Sequence, residues 1–197
     1  MDSYSHIAEH YFTRTSATDL SDRLCEGAMI AVIRAARILK EDPNDLDART
    51  DLMWAGSLAM NGVLSAGRAG DWASHMIEHE FSALYDVAHG AGLAAVMPAW
   101  MSYACETAPE RFCQLAVRVW GVDPDLFPTS IAAAKEGIAR LRRFISDMGL
   151  PLNLKEMGIP ADLLEEMASK AAADGPIGQM RRLTKDDILR IYQSILK

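Results

Sequence analysis

Five histidines, His6, His10, His75, His79 and His89, lie in the first 89 residues, and no later residue is a histidine. Asp2 and His6 are four residues apart, as are His75 and His79, so on a helix each pair stands on one face. His89 follows ten residues after His79. A carboxylate and several neutral imidazoles brought together from separate helices would form a nitrogen and oxygen site suited to Fe, Zn, Mn, Co or Ni. Taken singly, each histidine reads as an ordinary packing or surface residue. Their joint spacing raises the reading to a candidate site, although such pairs also arise by chance. The three cysteines, Cys25, Cys105 and Cys113, form no CxxC pair and are odd in number. They indicate free thiols in a reducing compartment, with neither a disulfide framework nor a thiolate zinc site.

The elements that must position these groups are helical. The chain has 30 alanines against 7 valines, which favours helices over strands. The punctuation predicts an all-α fold of eight or nine helices in one domain, residues 1–197. A first helix runs from near Asp2 to Thr13. A second follows a Thr18/Ser21 cap region, with Leu24, Ala28, Ala31, Ala35 and Ile38 as its apolar stripe. The third spans Leu46 to Met60, and Gly62 to Gly70 loosens its end. Asp71 caps a fourth that carries Trp72, His75 and His79. Gly90 and Gly92 mark a turn or close packing before an apolar core helix, Leu93 to Met101. Pro109 starts another, with Phe112, Leu115, Ala116 and Val119 inward. A long helix ends at Met148-Gly-Leu-Pro151, and Ala161–Ala173 and Thr184–Lys197 complete the set.

Composition excludes several function classes. A net charge of −7 opposes non-specific binding to nucleic acid or an anionic membrane. The basic groups Arg140-Leu-Arg142-Arg143 and Arg181-Arg182 read as solvated helix faces. No apolar run reaches the ~18 residues of a membrane span, and no signal-peptide pattern opens the chain, so a cytoplasmic location is expected. Trp72, Phe81, Tyr85 and Trp100 read as core aromatics before pocket walls. Glu78 and Glu80 fall on other helix faces than His79, exposed or bonded to a ligand's far side. The eleven methionines are dispersed core filler.

One run carries a resemblance: Asp71-Trp-Ala-Ser-His75-Met-Ile-Glu-His79-Glu-Phe-Ser-Ala-Leu-Tyr-Asp-Val-Ala-His89-Gly-Ala-Gly-Leu-Ala. It resembles the core motif of the iron-containing alcohol dehydrogenases, and within them the butanol dehydrogenase-like branch. That motif has a histidine, a second four residues on, and a third, followed by glycine, fourteen after the first. Positions 75, 79 and 89 match it without a gap. Asp2 and His6 match the upstream Asp-x-x-x-His of the family, and Leu183-Thr-Lys-Asp-Asp-Ile-Leu-Arg-Ile-Tyr192 is similar to its last helix. The resemblance implies Asp2, His6, His75 and His89 as metal ligands, with iron as the metal and zinc or manganese as alternatives. It makes His79 a catalytic non-ligand beside the metal, relaying a proton or orienting a ligand. The fold it implies is the helical C-terminal domain of the family, a type shared with dehydroquinate synthase.

The resemblance further implies a small-molecule alcohol or aldehyde substrate, a homodimer, and NAD(P) held by an N-terminal nucleotide-binding α/β domain. No βαβ pattern occurs here, and Gly90-Ala-Gly92-Leu is not a GxGxxG fingerprint. The chain starts one residue before Asp2, where a helix frays, so Asp2 is expected to be the most loosely held ligand. The expected chemistry is hydride transfer to NAD(P), with the metal polarising the substrate oxygen. The segment alone is expected to be inactive. Alternatives are a non-catalytic metal-binding helical module, or a relative with another reaction, dehydroquinate synthase-like or glycerol dehydrogenase. Those relatives differ in having fewer histidine ligands.

Overall fold

Alanine-rich segments with few β-branched residues become helices throughout, and no sheet forms. The computed structural model describes residues 1–197 as nine α-helices: α1 (Asp2–Tyr11), α2 (Asp19–Glu41), α3 (Leu46–Met60), α4 (Ala73–Tyr85), α5 (His89–Ala104), α6 (Pro109–Arg118), α7 (Ser130–Asp147), α8 (Leu164–Ala171) and α9 (Lys185–Ser194). An isolated antiparallel bridge joins Ile177 to Leu183 before α9. The accessible surface, 9365 Å², matches the roughly 9,000 Å² expected for a folded chain of this mass. Apolar side chains from all nine helices form one continuous core around α5, whose residues Leu93 to Met101 are all buried.

Several expected boundaries move. α1 ends two residues before Thr13. Thr18 occupies the N-cap position of α2, but its side chain makes no capping bond. The buried stripe of α2 runs through Cys25, Ala28, Met29, Val32 and Ala35, and Leu24 is exposed. Val119 is half-buried, and Phe112, Leu115 and Ala116 point inward as expected. α5 begins at His89, so Gly90 and Gly92 belong to its first turn instead of preceding it. α8 is shorter than Ala161–Ala173. α9 starts after Thr184, which forms a reciprocal capping box with Asp187.

A buried ion network fixes the far end of α1. The Asp22 carboxylate accepts from Arg68 at 2.8 Å, from Arg111 at 2.7 Å and from Gln114 at 3.1 Å. Arg68 also donates to the His10 carbonyl, and Arg111 to the Tyr11 carbonyl. Two guanidinium groups thus satisfy backbone acceptors at the negative end of the helix, while Asp22 balances their charge. That anchoring sets where the face bearing Asp2, His6 and Glu9 meets α4.

Candidate metal centre

The start of α1, the first two turns of α4 and the first residue of α5 meet at one point. His6 Nδ1 lies 3.1 Å from Asp2 Oδ1 and 3.2 Å from His75 Nε2. Asp2 Oδ1 is 3.7 Å from His89 Nε2. Metal bonds of about 2.0–2.2 Å in a tetrahedral site separate neighbouring ligand atoms by about 3.3–3.6 Å; the spacings among Asp2, His6 and His75 suit one cation, and His89 adjoins this trio through Asp2. Asp2 Oδ1 is buried and accepts no aligned hydrogen bond, despite the nearby imidazole nitrogens. An anionic oxygen left unpartnered among ring nitrogens is the feature a cation would satisfy. The close contact with the Asp2 carboxylate raises the His6 pKa, against burial, and the same contact lowers that of Asp2.

Two buried carboxylates set the histidine tautomers. Glu9 Oε1 lies 3.2 Å from His75 Nδ1, and Glu78 contacts His89 Nδ1. An ionised carboxylate only accepts, so each Nδ1 carries the proton. The lone pair on each Nε2 then faces the cluster. Both glutamates are completely buried. Of the two roles open to Glu78, exposure is therefore ruled out and orientation of His89 is observed; it also accepts from Ser82 Oγ at 2.7 Å. Glu80 is half-buried. A Cβ on Gly92 would collide with the Glu78 carboxylate, so the glycine is there for close packing.

Glu9 was not singled out from sequence, and it has a second task. The residue at the N-cap of α4 is Trp72, with φ of 65° and no side-chain capping bond. Glu9 instead accepts from the backbone amides of Trp72 at 2.7 Å, Ser74 at 3.0 Å and His75 at 3.3 Å, and from Ser74 Oγ. A carboxylate from α1 therefore caps α4 from outside. Asp71 contributes one bond to this start, from Ala73 N. Its other oxygen accepts from the amides of Gln179 and Met180, tying the 178–180 loop to the site. Burial and the charge of Glu9 push the Asp71 pKa up to about 6.

His79 is exposed, with its ring centroid 5.3 Å from that of His89 and 6.3 Å from that of His75. It lines a cavity of 470 Å³ with Trp72, Met76, Gly178 and Gln179. Burial and the neighbouring His89 lower its pKa. Glu78, His79 and His89 also converge, but Glu78 is already engaged by His89 and Ser82. Among the four aromatics, Trp72 packs edge-on against His6, His10 and His75 and walls the cavity. Phe81 and Trp100 lie in the core, and Tyr85 is packed against it. His10 stands outside the cluster, with Nε2 3.3 Å from the Ala59 carbonyl.

Residues 1–196 match the family model described as Fe-containing alcohol dehydrogenase family, C-terminal. The chain belongs to the iron-containing alcohol dehydrogenase family. It is 40% identical over 196 residues to the probable NADH-dependent butanol dehydrogenase 1 of Bacillus subtilis, covering 100% of this chain and 50% of that protein. It is 31% identical to the NADPH-dependent aldehyde reductase YqhD of Escherichia coli, covering 98% of this chain and 50% of the relative. The crystal structure of NADH-dependent butanol dehydrogenase A from Thermotoga maritima superposes with a TM-score of 0.91 at 32% identity. That match covers all of this chain and 50% of the other. The chain spans about half the length of the curated relatives it matches, and the helical fold is that of the family's C-terminal domain.

Proposed function

We propose that the chain is the metal-binding portion of an alcohol or aldehyde dehydrogenase, with Asp2, His6, His75 and His89 as the ligands of one divalent iron. The observation that carries the reading is the buried, unpartnered Asp2 Oδ1 facing imidazole nitrogens contributed by α1, α4 and α5. When bound, the metal would supply Lewis acidity toward an alcohol or carbonyl oxygen, and NAD(P) a hydride acceptor or donor. Asp2 supplies the one anionic ligand. Glu9 and Glu78 hold His75 and His89 with their Nε2 lone pairs inward. His79, with its lowered pKa, is neutral near pH 7 and can take the substrate hydroxyl proton on a ring nitrogen. Trp72 and Met76 give the adjoining cavity an apolar wall, and Gln179 and Arg182 give it polar groups, dimensions suited to a small alcohol.

In this reading NAD(P) is bound by an α/β half like that of the longer relatives, and the assembly is a homodimer. The test mixes this chain, loaded with iron, with a primary alcohol and NAD(P)⁺, with and without the N-terminal half of the Bacillus relative. Alcohol-dependent formation of NAD(P)H in the mixture alone is the expected result. Turnover by this chain alone would contradict the division of labour. No turnover in a mixture that demonstrably assembles and retains iron would contradict the catalytic reading and favour a non-catalytic metal module.

A further inference from the structure

A groove lined by α2, α7 and residues 119–120 shares no residue with the cavity at His79. It has two compartments that meet at Ile33, Arg37 and Val119. The first, 340 Å³, is floored by the buried rings of Trp120 and Phe144 and walled by Arg37, Arg140, Arg143 and Asp147. The second, 310 Å³, is mainly apolar, adding Ile30, Ile38 and the exposed Arg34 to the shared residues. The guanidinium groups of the first compartment have donors to spare. Arg140 donates to Glu136 at 2.9 Å and to the carbonyls of Trp120 and Gly121 at 2.9 and 3.0 Å, which fixes it against the groove. Arg143 donates to the same carboxylate at 2.9 Å through one nitrogen. Arg37 has no carboxylate partner, and its guanidinium carbon lies 5.8 Å from the centroid of the Phe144 ring. Each guanidinium has five N–H donors, so most of them stay free. Glu136 and Asp147 balance two of the three positive charges, and one is left over in a chain whose net charge is −7.

We propose that this groove binds an amphipathic monoanion, an alkyl carboxylate, with its head among Arg37, Arg140 and Arg143 and its chain in the apolar compartment. The single excess charge matches one carboxylate, and the planar fork of a guanidinium pairs with a carboxylate through two parallel hydrogen bonds. Trp120 and Phe144 keep water from one side of the head group, where a lower local dielectric strengthens those bonds. Ile30, Ile33, Ile38 and Val119 offer nothing to a small inorganic anion, but they take an alkyl chain out of water. Ile30, 44% exposed, is the residue most covered by that chain. From Ile30 to Arg37 the compartments run along α2 for about 10 Å at 1.5 Å per residue, the reach of an extended octanoate. The groove needs no metal, and it stands whether or not the four ligands hold iron.

The test titrates the metal-free chain with sodium octanoate, followed by calorimetry and by the tryptophan indole N–H signals in ¹⁵N–¹H spectra. The four tryptophans separate the candidate sites. Trp72 walls the cavity at His79, Trp54 lines the groove between α2 and α3, Trp100 lies in the core, and Trp120 alone belongs to the groove proposed here. Octanoate is expected to saturate with a Kd on the order of one millimolar or tighter, as a ligand of this size allows, and to move the Trp120 signal. From hexanoate to octanoate each added methylene should tighten binding about three- to fourfold. Acetate and 1-octanol, which lack the chain and the charge respectively, should bind at least about tenfold more weakly. Arg37→Gln, with circular dichroism to confirm its fold, should weaken octanoate at least about tenfold through the lost charge-assisted hydrogen bonds. Movement of the Trp72 or Trp54 signal in place of Trp120 would overturn the site. So would equal affinity in Arg37→Gln and wild type, octanol binding as tightly as octanoate, or no saturation in the millimolar range.

Discussion

Replacing Glu9 with glutamine separates capping and orientation from simple packing, since the side chains have nearly the same shape. Glu9 Oε1 accepts from the Ser74 and His75 amides, Ser74 Oγ and His75 Nδ1, and Oε2 accepts from the Trp72 amide at 2.7 Å. A glutamine carbonyl can keep the Oε1 position, but its NH₂ group must then face the Trp72 N–H, donor against donor. The half-buried Trp72 amide loses its acceptor, at about 1–3 kcal/mol, and the remaining bonds lose their charge assistance. The negative charge at the start of α4 contributes a further ~1 kcal/mol. Glu9→Gln is therefore expected to cost about 3 kcal/mol in urea unfolding of the metal-free chain, with an unchanged slope against denaturant. His75 loses its anionic orienter, so Co(II) affinity, read from the visible d–d spectrum, should fall about 10- to 100-fold. The reasoning is refuted if Glu9→Gln unfolds within 0.5 kcal/mol of wild type and titrates with Co(II) identically.

Glu78→Gln is expected to lower Co(II) affinity by a similar ~10- to 100-fold through His89; Gly92→Ala, which drives a Cβ into the same carboxylate, should do so too, measured by the same titration. Asp22→Asn leaves Arg68, whose side chain has no exposure, without its counter-charge, and about 3–5 kcal/mol of unfolding free energy should be lost in urea. Asp71 has a folded pKa of about 6, above its ordinary value of 3.8, so the folded state binds the extra proton between these values. Its contribution is most favourable below about pH 4 and is lost as pH rises through 6. The stability of wild type relative to Asp71→Asn should thus fall between pH 4 and 7, by up to about 3 kcal/mol. A flat or rising difference in urea midpoints would contradict that assignment.

The histidine constellation was legible because its spacing is local. Positions 75 and 79 share a helix face whatever the tertiary fold, and the match of 75, 79 and 89 to one family motif fixed which separate helices had to meet. The two orienting glutamates were harder to read. Glu9 reaches His75 across 66 residues of sequence, through a packing of α1 on α4 that no local pattern encodes. Glu78 was placed correctly on another face than His79, but that face is covered by α5, not by water. The polar start of α4 without its own capping side chain, and the glycine at position 92 opening the buried apolar run of α5, are the available signals. Boundaries moved where tertiary contacts replaced local ones: Asp71 reads as the cap of α4, yet most of the capping is done by Glu9. The expected α2 stripe holds at Ala28 and Ala35 and fails at Leu24, which is exposed. In the fold it faces Trp54 across an open groove.

The central claim is that Asp2, His6, His75 and His89 hold a single divalent cation and His79 does not. Elemental analysis after anaerobic loading with excess Fe(II) and desalting tests it directly on wild type, His75→Ala and His79→Ala. One equivalent of iron in wild type and in His79→Ala, with near-complete loss in His75→Ala, is the predicted result. Equal iron in wild type and His75→Ala, or none in a folded wild type, would contradict the assignment.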